Sequence, residues 1–132
     1  EMRLHIYHGL ENEKVPKDVT HVIVDISVTV IKKDAFSGCE YLVSFIMGDN
    51  VKRIEENAFW DCRALLYIRL SKTLEYIGES AFWCCESLEA LFLPSTLKSI
   101  EHRAFVSCES LRLMILPIDI KIVGGAVFRD TG

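Results

Sequence analysis

The stretch Leu65-Leu66-Tyr67-Ile68-Arg69-Leu70-Ser71-Lys72-Thr73-Leu74-Glu75-Tyr76-Ile77-Gly78-Glu79-Ser80-Ala81-Phe82-Trp83-Cys84-Cys85-Glu86-Ser87 is one period of a pattern that fills most of the chain. Its Ala-Phe pair returns every 23 residues, as Ala35-Phe36, Ala58-Phe59, Ala81-Phe82 and Ala104-Phe105, and degenerates to Val127-Phe128. The leading apolar position is Val19, Leu42, Leu65, Leu88 and Leu111. Three residues on stand Val22, Phe45, Ile68, Leu91 and Met114; two further stand Val24, Met47, Leu70, Leu93 and Leu116. Val28, Val51, Leu74, Leu97 and Ile120 form the next column, and Ile31, Ile54, Ile77, Ile100 and Val123 the one after. Cys39, Cys62, Cys85 and Cys108 close the unit, with Thr131 in the last copy. Periods between about 20 and 50 residues mark solenoids, in which each unit buries its apolar face only against its neighbours.

Within a unit the first segment alternates apolar and variable residues, which is strand periodicity. Pro94 and Pro117 end it in two copies; Asp25, Gly48 and Ser71 stand there in the others and suit a turn. The second segment, such as Leu74-Glu75-Tyr76-Ile77, turns the chain and suits a second short strand. Asp34, Asn57 and Ser80 precede Ala-Phe and are good helix N-caps, so a helix of one or two turns is predicted through Ala-Phe-x-x-Cys. Repeats then begin at residues 19, 42, 65, 88 and 111 and run to 132, the last incomplete. Residues 1–18 lack the pattern; Leu4 and Ile6 alternate with Arg3, His5 and Tyr7, which predicts a strand or hairpin capping the first repeat. No polar cap follows the fifth copy, so that end is expected to continue into further chain or to pack on something.

The unit L-x-x-I-x-L-P-x-x-L-x-x-I-x-x-x-A-F-x-x-C resembles the BspA-like class of leucine-rich repeats, over residues 19–132. The resemblance implies an α/β repeat solenoid: a right-handed curved array with a parallel sheet on its concave face and short helices on its convex face. It also implies a binding role, bacterial members often being surface adhesins. Departures are local: Val19 for the leading leucine, Arg103 and Ala126 at the cap position, Val127 for Ala and Thr131 for Cys.

The bulk composition narrows the partner. Of 132 residues, 15 are basic and 19 acidic, for a formal net charge of −4, and the two signs are interspersed. Phosphate binding wants a basic stripe and an anionic membrane surface wants a polybasic cluster; neither is present. No apolar run approaches the roughly 18 residues needed to span a bilayer. The N-terminal residues are not a signal peptide, although a chain opening on Glu1 leaves room for a removed leader. Cysteines in a single repeat register are read as small buried apolar residues, not as a disulfide scaffold, which weakly favours a reducing compartment. Cys84 lies outside that register and is expected to be a free exposed thiol.

Function is sought in the variable columns. The outward column of the first strand reads Ile23, Ile46, Arg69, Phe92, Ile115, and the column two residues earlier reads His21, Ser44, Tyr67, Ala90, Leu113. Four large apolar residues out of five are unexpected on a free sheet, and contiguous exposed apolar patches mark interaction sites. Tyr67 and Arg69 are residue types that concentrate binding energy. The partner-binding residues expected are therefore Ile23, Ile46, Tyr67, Arg69, Phe92, Leu113 and Ile115. The partner is expected to be a protein, in some settings within a multi-subunit complex, with a glycan as the lesser choice. Permanent packing in a larger assembly or longer array is the rival reading. Trp60 and Trp83 share a column and suit either an aromatic platform or, more simply, packing over adjacent repeats. His5-x-x-His8 points to opposite faces of a strand, a poor metal geometry. No cofactor or metal site is expected. No G-x-S-x-G, H-E-x-x-H or phosphate-cradling glycine loop occurs, so no catalytic role is expected.

Overall fold

A computed structural model describes residues 1–122 and 125–132. Val123 and Gly124, members of the repeat columns, lie outside the described residues. Among the described residues eleven short strands follow in chain order: β1 (Leu4–Tyr7), β2 (His21–Val24), β3 (Val30–Ile31), β4 (Ser44–Ile46), β5 (Arg53–Ile54), β6 (Tyr67–Arg69), β7 (Tyr76–Ile77), β8 (Ala90–Phe92), β9 (Ser99–Ile100), β10 (Leu113–Ile115) and β11 (Lys121–Ile122). All pairings are parallel. The second strands of the units form one continuous sheet in the order β11-β9-β7-β5-β3. The first strands form two pieces, β1-β2-β4-β6 and β10-β8. The single concave sheet expected from the sequence is thus divided between β6 and β8.

The expected convex helices are not there. Among the described residues no helix occurs, and the chain is a parallel β-solenoid. The residues read as N-caps explain why. Asp34, Asn57 and Ser80 have φ of 60°, 58° and 54°, as does the whole column through Arg103 and Ala126 at 59°. Four residues later the chain turns left-handed again, at Gly38, Asp61, Cys84, Ser107 and Asp130. A residue at positive φ reverses the local hand, so a right-handed i→i−4 ladder cannot propagate through it. Asn and Asp tolerate this region because their short polar side chains suit it.

Backbone hydrogen bonding in this segment alternates between two uses. Ala58, Trp60 and Cys62 donate to the carbonyls three residues back, Glu55, Asn57 and Phe59, closing successive turns. Asn57, Phe59 and Asp61 donate instead to the next coil, to Glu79, Ala81 and Trp83 at 3.0, 2.8 and 2.7 Å. A helix would satisfy those groups internally and, being roughly 10 Å across, would hold adjacent coils apart. Here the third side keeps the strand-like spacing of about 4.8 Å. The phenylalanine column confirms it: Phe59–Phe82, Phe82–Phe105 and Phe105–Phe128 stack with ring centroids 5.0, 5.3 and 5.8 Å apart.

The core runs down the solenoid axis. Leu42, Leu65, Phe36, Phe59, Phe82, Phe105 and Ile31, Ile54, Ile77, Ile100 are all fully buried. The cysteine column is buried with them, and three of its four thiols have a defined partner. Cys62, Cys85 and Cys108 donate to the carbonyls of Phe36, Phe59 and Phe82 in the preceding coil at 3.2, 3.3 and 3.1 Å. In the last copy the Thr131 hydroxyl makes the same bond to Phe105 at 2.7 Å, which accounts for Thr in the cysteine column. Cys84, expected to be exposed, is buried at 8% accessibility, at a residue with φ of 58°.

At the N-terminus β1 lies parallel on β2, with Leu4 beside His21 and Ile6 beside Ile23. Tyr7 is the buried member of this strand: its ring meets Phe36 edge-on at 5.0 Å, and its hydroxyl accepts from the Lys32 N–H. The connection after β1 is tied by the Glu13 carboxylate, which accepts from the His8 and Leu10 N–H groups and lies 2.7 Å from His5 Nε2.

Candidate functional site

The first sheet carries the candidate site. Alternation along each strand sends Val22, Phe45 and Leu91 into the core and the residues either side of them outward. Register then aligns the outward residues into two stripes, since Ser44 pairs with His21 on one side and Tyr67 on the other, and Ile46 with Ile23 and Arg69. Across β8 and β10 the same alignment sets Ala90 beside Leu113 and Phe92 beside Ile115. Ile23, Ile46, Phe92, Ile115, Tyr67 and Leu113 are all exposed, Phe92 at 63% and Tyr67 at 54%.

Arg69 behaves differently from its column. Its guanidinium is drawn sideways along the sheet, donating to the Met47 carbonyl at 2.6 Å and lying 3.1 Å from the Asp49 carboxylate. Asp49 also accepts from the Lys72 N–H, and these contacts, the backbone bond first, hold its carboxyl below the usual aspartate range. Arg69 is thus half-buried and braces two coils.

Two residues absent from the sequence-based site join it. Leu4 and Ile6 of β1 extend both stripes by one strand, and both are exposed. Their pairing offset is 17 residues, as in Leu4 with His21, so the 23-residue register could not find them. Strand alternation was the available signal, but it did not say which side of β1 faces the core.

Near the division of the sheet the surface is concave. Two adjoining cavities, of about 290 and 310 Å3, share Tyr67, Ile68 and Phe92. Ile68, the counterpart of the fully buried Phe45 and Leu91, is only partly buried. A further cavity of about 310 Å3 lies at the last coil, between Leu111, Met114, Leu116 and Phe128.

Elsewhere the chemistry is quiet. Trp60 and Trp83 stack on one another, with centroids 5.0 Å apart and planes 5° from parallel, leaving Trp60 partly exposed. The cysteine ladder is inert as a nucleophile. Burial raises the Cys39, Cys62 and Cys85 thiols, and pushes Cys108 up to about 12. Thiolates are the reactive and metal-binding form, so these groups stay protonated. Among the described residues no three His, Cys, Asp or Glu side chains cluster as metal ligands, and no helix is long and apolar enough to cross a membrane.

The family model for the BspA-type leucine-rich-repeat region matches residues 15–132, in six copies. No curated protein matches the chain. Among solved structures it is similar to the leucine-rich repeat protein of T. pallidum, with 32% identity and a TM-score of 0.80 over 83% of this chain and 54% of that one. It is likewise similar to a leucine-rich cell surface protein from Faecalibacterium prausnitzii, with 29% identity and a TM-score of 0.83 over 89% of this chain and 31% of that one. The crystal structure of a pneumococcal vaccine antigen aligns at 29% identity and a TM-score of 0.73, over 96% of this chain and 32% of that one. The chain therefore spans about half or less of the length of these proteins.

Proposed function

The chain belongs to the BspA-type leucine-rich-repeat family, and from that premise we propose that it is a non-catalytic module binding a protein partner through its first sheet. The observation carrying this reading is the pair of exposed apolar stripes, Ile23, Ile46, Phe92 and Ile115 beside Tyr67 and Leu113. Apolar residues on the outward face of a sheet gain nothing from solvent, and a partner that covers them gains their burial. Tyr67 and Phe92 supply large, rigid contact area at the centre of the patch, with Arg69 positioning the coil beneath them. Phe92→Asp removes the apolar contact at a solvent-exposed position, so the fold is retained and partner capture is lost; Tyr67→Asp, also at an exposed position, is expected to do the same. Pull-down of partners from the native source, with both variants beside the parent chain, tests it. Normal capture by both variants would sink the proposal.

A second reading, adhesion at a cell surface, draws on the likeness to the F. prausnitzii cell surface protein and on the partly exposed Trp60–Trp83 stack. Aromatic faces are a common platform for sugar rings. Under this reading Trp60→Ala, and not Phe92→Asp, abolishes capture of glycan-bearing partners.

A further inference from the structure

Four of the five neighbouring pairs along the first strands share one bonding pattern, in which two successive N–H groups donate to a single carbonyl of the coil before. Thr20 and His21 donate to Arg3, Val43 and Ser44 to Thr20, Leu66 and Tyr67 to Val43, and Arg112 and Leu113 to Glu89. At the remaining pair, the corresponding donors are Glu89 and Ala90 and the corresponding acceptor is the Leu66 carbonyl. These bonds are not formed, and β6 and β8 are not paired. The same two coils stay joined on their other sides. Lys98 and Ser99 donate to Glu75 at 2.9 and 3.3 Å, and Phe82 to Ala104 at 2.8 Å. The solenoid therefore parts on one side only, and it parts where Tyr67 and Phe92 stand exposed and solvent reaches Ile68.

An opening bordered by unpaired strand edges has a specific chemistry. Adjacent N–H groups at Glu89 and Ala90 present a site for one carbonyl oxygen, and the Leu66 carbonyl opposite presents a site for one N–H. Backbone groups of this kind are strong obligatory hydrogen-bonding partners, and an extended peptide satisfies both at once. Two of the charges bordering the opening are already paired, Glu89 with Arg112 at 3.1 Å and Arg69 with Asp49 at 3.1 Å; Lys72, at the rim of the second cavity, has no ion pair among the described residues. Tyr67, Ile68 and Phe92 line the cavities with apolar surface.

We infer that the parted edges of β6 and β8 receive an extended, apolar segment of a partner protein: its backbone carbonyl accepts the Glu89 and Ala90 N–H groups, and an apolar side chain enters toward Ile68 between Tyr67 and Phe92. This rests on the first sheet being the binding face and adds how the partner engages it.

The test has two stages. In the free chain, amide hydrogen exchange at Glu89 and Ala90 is expected to be at least about tenfold faster than at Leu66, Tyr67, Arg112 and Leu113, because only the former lack a bond. Equal protection means the sheet is closed and the inference fails. A library of random linear peptides displayed on phage is then selected against the chain. Selected peptides are expected to be apolar, to protect the Glu89 and Ala90 amides, and to bind at least about tenfold more weakly to Tyr67→Ala and Phe92→Ala, while Trp60→Ala is unaffected. Ala90→Pro removes a donor that the folded chain does not use, so it is expected to keep the thermal stability and lose the peptide. Peptides that lose affinity with Phe92→Asp but leave the two amides unprotected overturn the inference and leave the binding face standing. Peptides insensitive to every first-sheet variant overturn both, and a selection yielding none that protects these amides overturns the inference.

Discussion

The Cys85 thiol donates to the carbonyl oxygen of Phe59, 26 positions earlier in the chain, at 3.3 Å within a fully buried column. From the second unit on, one side chain per unit thus satisfies a backbone acceptor in the preceding coil. Replacing it with Ala removes the sulfur, opens a small void and strips that acceptor of its partner. Cys85→Ala is expected to cost about 1–3 kcal/mol, while Cys85→Thr, following the Thr131 arrangement, costs less. Urea unfolding midpoints of the two variants check the order.

The same column makes stability depend on pH at the alkaline end. Burial raises the folded-state values of Cys62, Cys85 and Cys108 above the ordinary thiol value of 9.0, Cys108 to about 12. The folded chain then holds protons that the unfolded chain releases. The contribution is fully present below pH 9 and is lost as pH rises from there toward 12. Unfolding midpoints should fall steadily above pH 9, and less steeply in Cys108→Thr. A thiol reagent at neutral pH should leave Cys39, Cys62, Cys85 and Cys108 unlabelled until the chain unfolds.

Arg103 occupies a left-handed position, with φ of 59°. A non-glycine residue with no compensating local bond pays roughly 1–2 kcal/mol there. Arg103→Gly should therefore stabilise the chain by up to about 1 kcal/mol, seen as a higher thermal midpoint. Asn57→Val, which puts a β-branched residue at φ 58°, should lower it.

Phe59 is sandwiched between Phe36 at 5.7 Å and Phe82 at 5.0 Å and meets Phe45 edge-on at 4.6 Å. Phe59→Ala should cost about 3–5 kcal/mol and uncouple the coils on either side of it. Trp60→Ala, beside it in sequence but on the partly exposed stack, should cost nearer 1 kcal/mol. Calorimetry of both variants separates the two environments.

Arg63 bridges two coils at the surface, 2.7 Å from Glu86 and 2.8 Å from Asp61. Its side chain and that of Glu86 are well exposed, so solvent screens the pair. Glu86→Gln is expected to change stability by less than about 1 kcal/mol, and the effect should vanish in molar salt.

The sequence by itself determined the repeat and the core. A 23-residue period with seven apolar or small columns is buried by stacking parallel coils, and the buried columns are those the spacing picks out, apart from Leu116 in the last copy, which is exposed, and partly buried members such as Ile68, Met114 and Ile120. Strand alternation likewise placed Ile23, Ile46, Phe92 and Ile115 on an outward face, because side-chain direction in a strand follows from position alone. The third side was illegible. Asp, Asn and Ser favour both helix N-caps and left-handed turns, and the sequence carries no sign of which; the choice is made by the neighbouring coil, whose carbonyls take the N–H groups of Asn57, Phe59 and Asp61. Only the tertiary structure decided that Arg69 turns back onto Met47 and Asp49, that β1 adds Leu4 and Ile6 to the exposed stripes, and that the first sheet parts between β6 and β8. Each depends on contacts between coils, where packing and hydrogen-bond partners are set by residues far apart in the chain and not by any local pattern.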